Sequence, residues 1–420
     1  MSRPLEPDLG NTSVGNIRIR RMSRPPDQVG RLSRYQEVEM EIVRYLVEQI
    51  GPRWAGRGGG AQAAQYLAGK FAELGLQVET QTFPFVGWEV DEPPTLEILQ
   101  PEAGHASVAL MEYSGATPPE GLEGELRPAG QAGIVPGFLD WPRYAIVAED
   151  NRPAAYLIAH IGLGGWFAPA IPLANPEPFY PFPMAILSQA DHQRFQDWLN
   201  AGKRIYVRFR ARGHYDEHFV GHNVIATLPG KTERTVVLCA HLDTAYNTPG
   251  ANNNAGGVQA LYEVAHKLIA MPNRQLSYRF LACDATEWHY LGSRFFLQEA
   301  RAQGWMHHIL AGINLDTVAS GDQFYFLAWP QSMRDRAERV VDQLQLRERF
   351  RTVEFLGPLA GSDHYSFIQA GIPASEILFW PCPVYKTPED DMRFVDAKMI
   401  ALASDIANAL AHTFEEEEVK

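Results

Sequence analysis

Two spacings of apolar residues divide the chain into helical and extended segments. Near the N-terminal end, "QEVEMEIVRYLVEQIG" and "AAQYLAGKFAELG" place apolar residues three and four positions apart, which is the spacing of an amphipathic helix. Gly51 and Pro52 end the first segment and Gly75 ends the second, because these residue types stop helices. The strand-like run "LQVETQTF" follows directly. This part of the chain is therefore predicted to form two helices that lead into a strand.

Strands and helices alternate along the second half of the chain. Apolar runs typical of strands occur in "GHNVIATLPG", "TVVLCAHLD", "LSYRFLACD", "AGINLD", "QFYFLAW" and "SEILFW". Segments with helical spacing lie at residues 255–271, 292–303, 333–345, 362–370 and 397–414. This alternation predicts an α/β fold with a mixed, mostly parallel sheet sandwiched by helices. In such a sheet, functional side chains gather at the carboxyl ends of the strands.

The segment that separates the N-terminal helices from the alternating second half has a different composition. From about residue 88 to residue 213, Pro and Gly are frequent, and the short strand-like pieces "ASVALMEY", "YAIVAE", "AAYLIAHIG", "PMAILS" and "RIYVRFRAR" are interrupted by one helical segment, "QADHQRFQDWLNAG". The first 30 or so residues are polar and rich in Arg and Pro. We therefore predict a polar arm at residues 1–35, a main domain at residues 36–90 and 214–420, and an inserted β-rich domain at residues 91–213.

Composition and charge exclude several classes of partner. The 420 residues carry a net charge of −13, which disfavours nucleic acid as a partner. Three cysteines are too few for a disulfide framework and are typical of a reducing compartment. The N-terminal sequence lacks the apolar core of a signal peptide, and no apolar run approaches the roughly 18 residues that a membrane span needs. We expect a cytoplasmic protein without a membrane partner, and the oligomeric state stays open.

Polar residues follow the apolar strands at four separate places. Because the carboxyl ends of parallel strands meet at one edge of a sheet, these residues are candidates for one acidic site. The alternative is that strand ends in any α/β domain are polar. The residues concerned are His241, Asp243, Asp284, Thr286, Glu287, His289, Asp316, Lys386, Glu389, Asp390 and Asp391.

The order and spacing of these motifs narrow the choice. The stretches "AHLDT…PGANNNAGGVQALYEVAHKL", "FLACDATEWHYLGSRFF", "INLD", "GSDHYSFIQAGIPA" and "YKTPEDD" together resemble the M28 family of zinc aminopeptidases. The similarity covers about residues 36 to 415, and the inserted segment resembles the protease-associated (PA) domain that many members carry. The resemblance implies a zinc aminopeptidase-like fold, a hydrolase ancestry, and a peptide or other amide-containing small molecule as the ligand of the cleft.

The resemblance also implies a role for individual residues. His241 and Asp316 match the terminal ligands of the first metal, and Asp243 matches the acid that orients this histidine. Glu287 matches a ligand of the second metal. These four residues agree with the family pattern.

Three further positions depart from the family pattern. The acid that bridges both metals falls at Asn253, the general-base Glu falls at Thr286, and the histidine of the second metal site falls at Lys386. An amide oxygen is a weak, neutral ligand, and a protonated lysine has no lone pair for a metal. A threonine hydroxyl does not accept a proton from water near pH 7, so general-base catalysis is lost at this position.

The three substitutions together suggest an exchange of charges. Asp to Asn and His to Lys each add one positive unit, which offsets the loss of one divalent cation. We therefore expect the Lys386 ammonium to lie where the second metal would lie and to pair with Glu287, because a buried carboxylate without a partner is costly. His241, Asp316 and the Asn253 oxygen still offer three ligands for one zinc with water as the fourth. The expected cofactor is thus at most one zinc ion, or no metal.

Three functions follow from this reading. The leading hypothesis is an M28-family protein with an eroded catalytic site, whose standard dinuclear aminopeptidase activity is lost or altered. One alternative is an active single-metal amide or peptide hydrolase, and the other is a non-catalytic binding or scaffold protein that uses the peptidase fold.

Two histidines are candidates for contact with substrate. His289 lies two residues beyond Glu287, where the family usually has glycine, and it is either a substitute ligand or a substrate-binding residue. His364 lies in "GSDHYSF", which matches a family turn near the rim of the active site. A substrate-facing role and a purely structural role are both open for His364.

Overall fold

The computed structural model describes residues 40–135, 139–159 and 182–418, and the predicted polar arm at residues 1–35 lies outside them. The helices are α1 (Glu41–Arg44), α2 (Gly58–Glu73), α3 (Gln189–Asn200), α4 (Gly256–Ile269), α5 (Leu291–Ala302), α6 (Gln331–Gln343), α7 (Leu346–Arg349), α8 (His364–Gln369) and α9 (Ala397–Glu418). The first helix continues as a π-helical turn over Tyr45–Ile50. No helix of the described part of the chain is both long and apolar enough to cross a membrane.

The strands join into one large sheet. They are β1 (Gln77–Gln100), β2 (Gly104–Ala106), β3 (Val108–Leu110), β4 (Leu122–Val135), β5 (Leu139–Val147), β6 (Pro153–Ala159), β7 (Met184–Leu187), β8 (Tyr206–Leu228), β9 (Thr235–His241), β10 (Ser277–Cys283), β11 (Ile309–Leu315), β12 (Gln323–Trp329), β13 (Thr352–Leu356) and β14 (Ala374–Trp380). The order is β13-β12-β14-β11-β9-β10-β8-β4-β5-β6-β7-β3, and β1 pairs with both β8 and β2.

The half of the sheet that carries the site is mostly parallel and is covered by helices on both faces. Strands β10, β9, β11 and β14 run parallel, while β12 is antiparallel to β14 and β8 is antiparallel to β10. Along β9, Val236, Leu238 and Ala240 pack in the same core as helices α4, α6 and α9. The alternate residues Val237 and Cys239 pack in a second core with α5 and α8. Burial of both faces explains why this strand is apolar throughout.

The segment predicted as an insertion is connected to the main sheet by two long strands. Strands β1 and β8 pair antiparallel from Gln77 opposite Thr227 to Gln100 opposite Tyr206. The first part of this ribbon lies beside β10, and its far part pairs with β4. The predicted domain limits fall on Val90 and Gly213, which are paired with each other, and the register shifts just beyond Val90. The predicted boundary between the main domain and the inserted segment therefore crosses the paired strands β1 and β8, which continue on both sides of it.

Two strands are not predicted by the apolar pattern, and one predicted strand is broken. Strand β4 contains "GELRPAGQAG", and edge strand β13 is short, so neither has a clear apolar run. The predicted strand "ASVALMEY" divides into β2 and β3 and leaves residues 111–113 outside any strand. These three residues are nevertheless buried. Tyr113, the last of them, packs against the loop that follows β10, where the candidate site lies.

Candidate functional site

The carboxyl ends of the parallel strands bring the predicted polar residues together. His241 is the last residue of β9, Asp316 follows β11 directly, and residues 284–287 follow β10. All of these side chains are buried. The strand-end positions that the alternation of strands and helices indicates therefore do converge at one edge of the sheet.

His241 lies at the centre of the part of the site that resembles a first-metal centre. Its Nε2 atom is 3.0 Å from Asn253 Oδ1 and 3.5 Å from Asp316 Oδ1. Its Nδ1 atom is 3.0 Å from the Asp243 carbonyl oxygen and 3.5 Å from the Asp243 carboxylate. Burial lowers the pKa of this imidazole, but Asp316 and Asp243 outweigh burial and hold the pKa well above its usual value. Burial alone would raise the pKa of Asp316, but His241, together with hydrogen bonds from Ser362 and Thr317, lowers it to about 2.

Asp243 connects β9 to the loop after β10. Its two carboxylate oxygens accept hydrogen bonds from the backbone N–H groups of Thr286, at 3.0 Å, and Glu287, at 2.9 Å. The carboxylate is fully buried. Asp243 therefore fixes the positions of Thr286 and Glu287, and it also lies beside His241.

The three consecutive asparagines each have a different set of partners. The backbone N–H groups of Asn252 and Asn253 donate to the two carboxylate oxygens of Asp390, at 2.8 and 3.0 Å. The Asn254 amide donates to the Leu315 carbonyl oxygen at 2.8 Å, and the Asn252 amide oxygen accepts from the Ala319 N–H at 2.7 Å. Only Asn253 turns its amide towards the histidine. The side chains of Asn252 and Asn254 therefore hold neighbouring backbone in place, and only the Asn253 side chain lies beside His241.

Arg53 holds the loop that precedes these asparagines. Its guanidinium is fully buried and donates to five backbone carbonyl oxygens, at distances of 2.7 to 3.1 Å. Two of them belong to Pro249 and Gly250. Gly250 has φ +62°, and a β-carbon there would collide with the Thr244 side chain, so glycine is required at this turn.

Removal of this guanidinium is expected to destabilise the protein strongly. In an Arg53→Met variant the five carbonyl oxygens, most of them buried, lose their donor, so the free energy of unfolding should fall by about 3 kcal/mol or more. Urea denaturation followed by circular dichroism measures this change. Arg152→Met is the matched control, because the Arg152 side chain is 85% exposed, and its unfolding curve should coincide with that of the wild type. Coinciding curves for both variants would show that the buried guanidinium contributes nothing.

Lys386 and Glu287 form a buried ion pair. The Lys386 ammonium contacts Glu287 Oε2, and the two side chains are 9% and 5% exposed. The other carboxylate oxygen of Glu287 is 3.5 Å from the Asn253 amide nitrogen. Burial lowers the pKa of Lys386, but Glu287, Tyr385 and Glu112 together outweigh burial and raise the pKa above its usual value. The lysine is therefore a fixed cation, as the exchange of charges predicts.

Thr286 has a partner that the sequence analysis does not single out. Its hydroxyl donates to Asp363 Oδ2 at 2.7 Å, and Asp363 is fully buried. Asp363 Oδ1 is buried and has no hydrogen-bond partner among the described residues. Burial raises the pKa of Asp363 to about 6. Because 77 residues separate Thr286 from Asp363, no local motif could have indicated this contact.

The two candidate histidines occupy different environments. His289 has φ +63°, a conformation that favours glycine, and both of its ring nitrogens are buried without a partner among the described residues. Its pKa is lowered to about 4, first by burial and then by Arg294 and Lys386. His364 is fully buried, with Nδ1 2.8 Å from Glu376 and Nε2 3.0 Å from the Leu359 carbonyl oxygen. Both of its ring nitrogens face the protein interior, which favours the structural role over the substrate-facing one.

The donor set does not fit two divalent cations. Among residues 40–135, 139–159 and 182–418, no group of three or more His, Cys, Asp or Glu side chains lies in an arrangement that could hold a metal. Glu287, the one acid left for the second ion, is already in contact with an ammonium. His241 and Asp316 remain as ionisable ligands for a first ion, and the Asn253 oxygen is a weaker third donor.

Comparison with known proteins supports the family and the fold. Residues 223–411 match the sequence profile of peptidase family M28. Aminopeptidase YwaD of Bacillus subtilis (strain 168) is 24% identical over an alignment of 414 residues, covering 90% of this chain and 84% of that protein. The structure of a zinc aminopeptidase from Bacillus subtilis has a TM-score of 0.67 at 19% identity, covering 89% of this chain and 94% of that chain. A peptidase M28 precursor from Shewanella amazonensis has a TM-score of 0.72 at 17% identity, covering 90% and 92%. The predicted fold class is thereby confirmed, and the predicted family is confirmed for residues 223–411.

Proposed function

Residues 223–411 of the chain belong to peptidase family M28, and from this membership together with the Lys386–Glu287 ion pair we propose that the protein binds peptides or related amides without two-zinc hydrolysis. The peptide class of ligand is supported by the family and by relatives named as aminopeptidases. The absence of two-zinc chemistry is supported by the lysine that contacts the family's second-metal ligand. This contact is the observation that carries the proposal.

The electrostatics of the site support the same conclusion. A divalent cation bound to Glu287 would lie next to the Lys386 ammonium, and two cations that share one buried carboxylate repel each other strongly. The carboxylate that would hold two metals close together is replaced by Asn253, whose amide oxygen carries no charge. The hydroxyl of Thr286 donates to Asp363 and is not a proton acceptor for water near pH 7.

A single-zinc hydrolase is the second candidate. It is favoured by the arrangement of Asn253 Oδ1 and Asp316 Oδ1, at 3.0 and 3.5 Å from His241 Nε2. One zinc held there by His241 and Asp316 would polarise a carbonyl group. With Asn253 as the third donor, the site would bind zinc more weakly than a site with a bridging acid.

Hydrolysis of an aminoacyl arylamide separates the two candidates. The purified protein is assayed with L-leucine p-nitroanilide, with and without added zinc, beside a His241→Ala variant. We expect no release of nitroaniline above the background of the variant under either condition. Zinc-dependent release that disappears in His241→Ala would contradict the lead proposal and support the single-zinc hydrolase.

A further inference from the structure

The inserted segment contacts both of the loops that follow β9 and β10. Glu112 and Tyr113 lie between β3 and β4, and both are buried. The Glu112 carboxyl group accepts a hydrogen bond from the Tyr246 backbone N–H, in the loop after β9, at 2.8 Å. The Tyr113 hydroxyl donates to the Glu287 carbonyl oxygen, in the loop after β10, at 3.0 Å. Two consecutive residues therefore join the loop that follows His241 to the loop that carries the ion pair.

The ribbon of strands β1 and β8 holds this segment from the other side. The Tyr215 hydroxyl, on β8, donates to the Tyr113 carbonyl oxygen at 2.6 Å. The Trp88 indole N–H, on β1, donates to the Ser114 carbonyl oxygen at 3.2 Å. Tyr113 is thus bonded to the ribbon through its backbone and to Glu287 through its side chain.

Side chains from other elements hold the backbone of Glu287, which lies in neither a helix nor a strand. Its N–H donates to the Asp243 carboxylate at 2.9 Å, and its carbonyl oxygen accepts from Tyr113. Three residues of the same loop have φ between +56° and +63°, namely Ala285, His289 and Tyr290. Residues other than glycine keep such a conformation only where surrounding contacts impose it. The loop is therefore expected to relax when one of these contacts is removed.

The residue after Glu287 packs among aromatic rings of the ribbon and the inserted segment. The centroid of the Trp288 ring lies 4.6 Å from that of Tyr113. The rings of Phe85 on β1 and Phe219 on β8 are 5.3 and 5.9 Å from it. A chain of direct contacts thus leads from the ribbon through the inserted segment to the ion pair, and coupling between sites travels through such packed contacts.

We propose that Tyr113 is a positioning residue for Glu287, and that the inserted segment thereby controls how often the Lys386–Glu287 ion pair opens. The inference rests on the proposed function, because this ion pair carries that proposal, and it adds a regulator to the same site. Without the Tyr113 hydroxyl the Glu287 carbonyl oxygen loses this donor, and the loop with its carboxylate moves more readily away from the ammonium. A ligand or partner that displaces residues 112–114 would open the pair in the same way.

Chemical labelling of lysine amines measures this opening. Reductive methylation with formaldehyde modifies amines that reach solvent, so a buried lysine reacts when its surroundings open locally. In the wild type, Lys386 should react at least 10-fold more slowly than Lys203, whose side chain is 44% exposed. In Tyr113→Phe, the reaction at Lys386 should be about 5-fold faster than in the wild type, because one buried hydrogen bond is lost. Mass spectrometry of peptides gives the rate at each lysine.

Two further variants separate positioning from a general loss of stability. Tyr144→Phe removes a buried hydroxyl elsewhere in the inserted segment, 2.8 Å from His192 Nδ1, and should leave the labelling of Lys386 unchanged. Tyr215→Phe removes the donor to the Tyr113 carbonyl oxygen and should accelerate the labelling of Lys386 about 2- to 3-fold.

The labelling rates decide between this inference and its alternatives. Lys70 on helix α2, 14% exposed, is the internal reference, and its rate should be the same in every variant. A parallel rise at Lys70 and Lys386 in Tyr113→Phe would assign the hydroxyl to overall stability and overturn the inference. Equal rates at Lys386 in Tyr113→Phe and the wild type, or an equal acceleration by Tyr144→Phe, would overturn it as well. Unchanged labelling in Tyr215→Phe would do so even if Tyr113→Phe does not fold.

Failure of the proposed function gives a different result in the same experiment. Rapid labelling of Lys386 in the wild type itself would show that the ammonium is not held by Glu287, and it would contradict the ion pair on which the proposed function rests. Slow labelling in the wild type with no effect of Tyr113→Phe would leave the ion pair intact and overturn only the role of the inserted segment.

Discussion

Restoring the three substituted residues should create a zinc-dependent hydrolase. The variant Asn253→Asp, Thr286→Glu, Lys386→His is expected to bind two zinc ions per chain and to hydrolyse L-leucine p-nitroanilide at least 100-fold faster than the wild type. The substitutions return a bridging acid between the two ions, a general base beside Glu287, and a neutral ligand in place of an ammonium. The backbone positions already exist, because Asp243 holds residues 286 and 287 and Asp390 holds residue 253. Zinc is measured by elemental analysis, and turnover by absorbance.

One single variant and one fourfold variant show which residues zinc binding and turnover require. Asn253→Asp alone keeps the Lys386 ammonium on Glu287, so it should bind no second zinc and show no turnover. The triple variant with His241→Ala in addition should lose turnover again, because the first metal loses a ligand. A triple variant that is folded but binds no zinc would show that the residues assigned from the family resemblance are not those that define the metal site.

Removing the ammonium alone should destabilise the protein. In Lys386→Met the Glu287 carboxylate remains buried without a cation, and the free energy of unfolding should fall by about 3–5 kcal/mol. A second substitution, Glu287→Gln, removes the orphaned charge, so the double variant should regain more than half of the loss. Urea unfolding of the wild type, the two single variants and the double variant forms a double-mutant cycle. The measurements are made with EDTA present, so that no metal replaces the lysine.

An exposed lysine provides the control for this cycle. Lys203 pairs with Glu102 at 3.3 Å, but the two side chains are 44% and 67% exposed. Such pairs contribute little to stability because water and salt screen them. Lys203→Met should therefore unfold at nearly the same urea concentration as the wild type. Equal losses in Lys203→Met and Lys386→Met would contradict a special role for the buried pair.

The architecture of the main sheet could be predicted from the sequence because burial on both faces leaves a clear pattern. Strand β9 is apolar along its length, and helix α4 begins one residue after the predicted start at residue 255. Strands with fewer apolar neighbours were not predictable in this way. Strand β4 contains Pro128 and three glycines, and the edge strand β13 alternates poorly. In both cases pairing with a neighbouring strand, rather than local sequence, decides the structure.

The site was predictable only where a motif lies close in sequence to its strand. The apolar runs of the strands lead directly to His241, Asp316 and Glu287. The contact between Lys386 and Glu287 was predictable because a lysine in place of a histidine ligand offsets the charge of a lost cation. Glu112 carries no such signal. It lies in a predicted strand of the inserted segment and meets Tyr246 across 134 residues of sequence. Contacts of this length depend on how the two-stranded ribbon folds back onto the main sheet, which no local pattern indicates.

The buried position of His364 shows the same limit. The turn "GSDHYSF" places it near the rim of the site in the family resemblance, but sequence does not reveal which way a side chain points. In the structure Glu376, on β14, turns the imidazole inward. The neighbouring Asp363 faces Thr286 instead.

The replacement of the second metal by Lys386 can be examined in a crystal structure of the wild type grown with excess zinc, with anomalous data collected on both sides of the zinc absorption edge. We expect the Lys386 ammonium within hydrogen-bonding distance of Glu287 and no anomalous peak beside that carboxylate, whether or not an ion binds at His241. A strong peak coordinated by Glu287, with Lys386 turned away from it, would show that the lysine does not take the place of the metal.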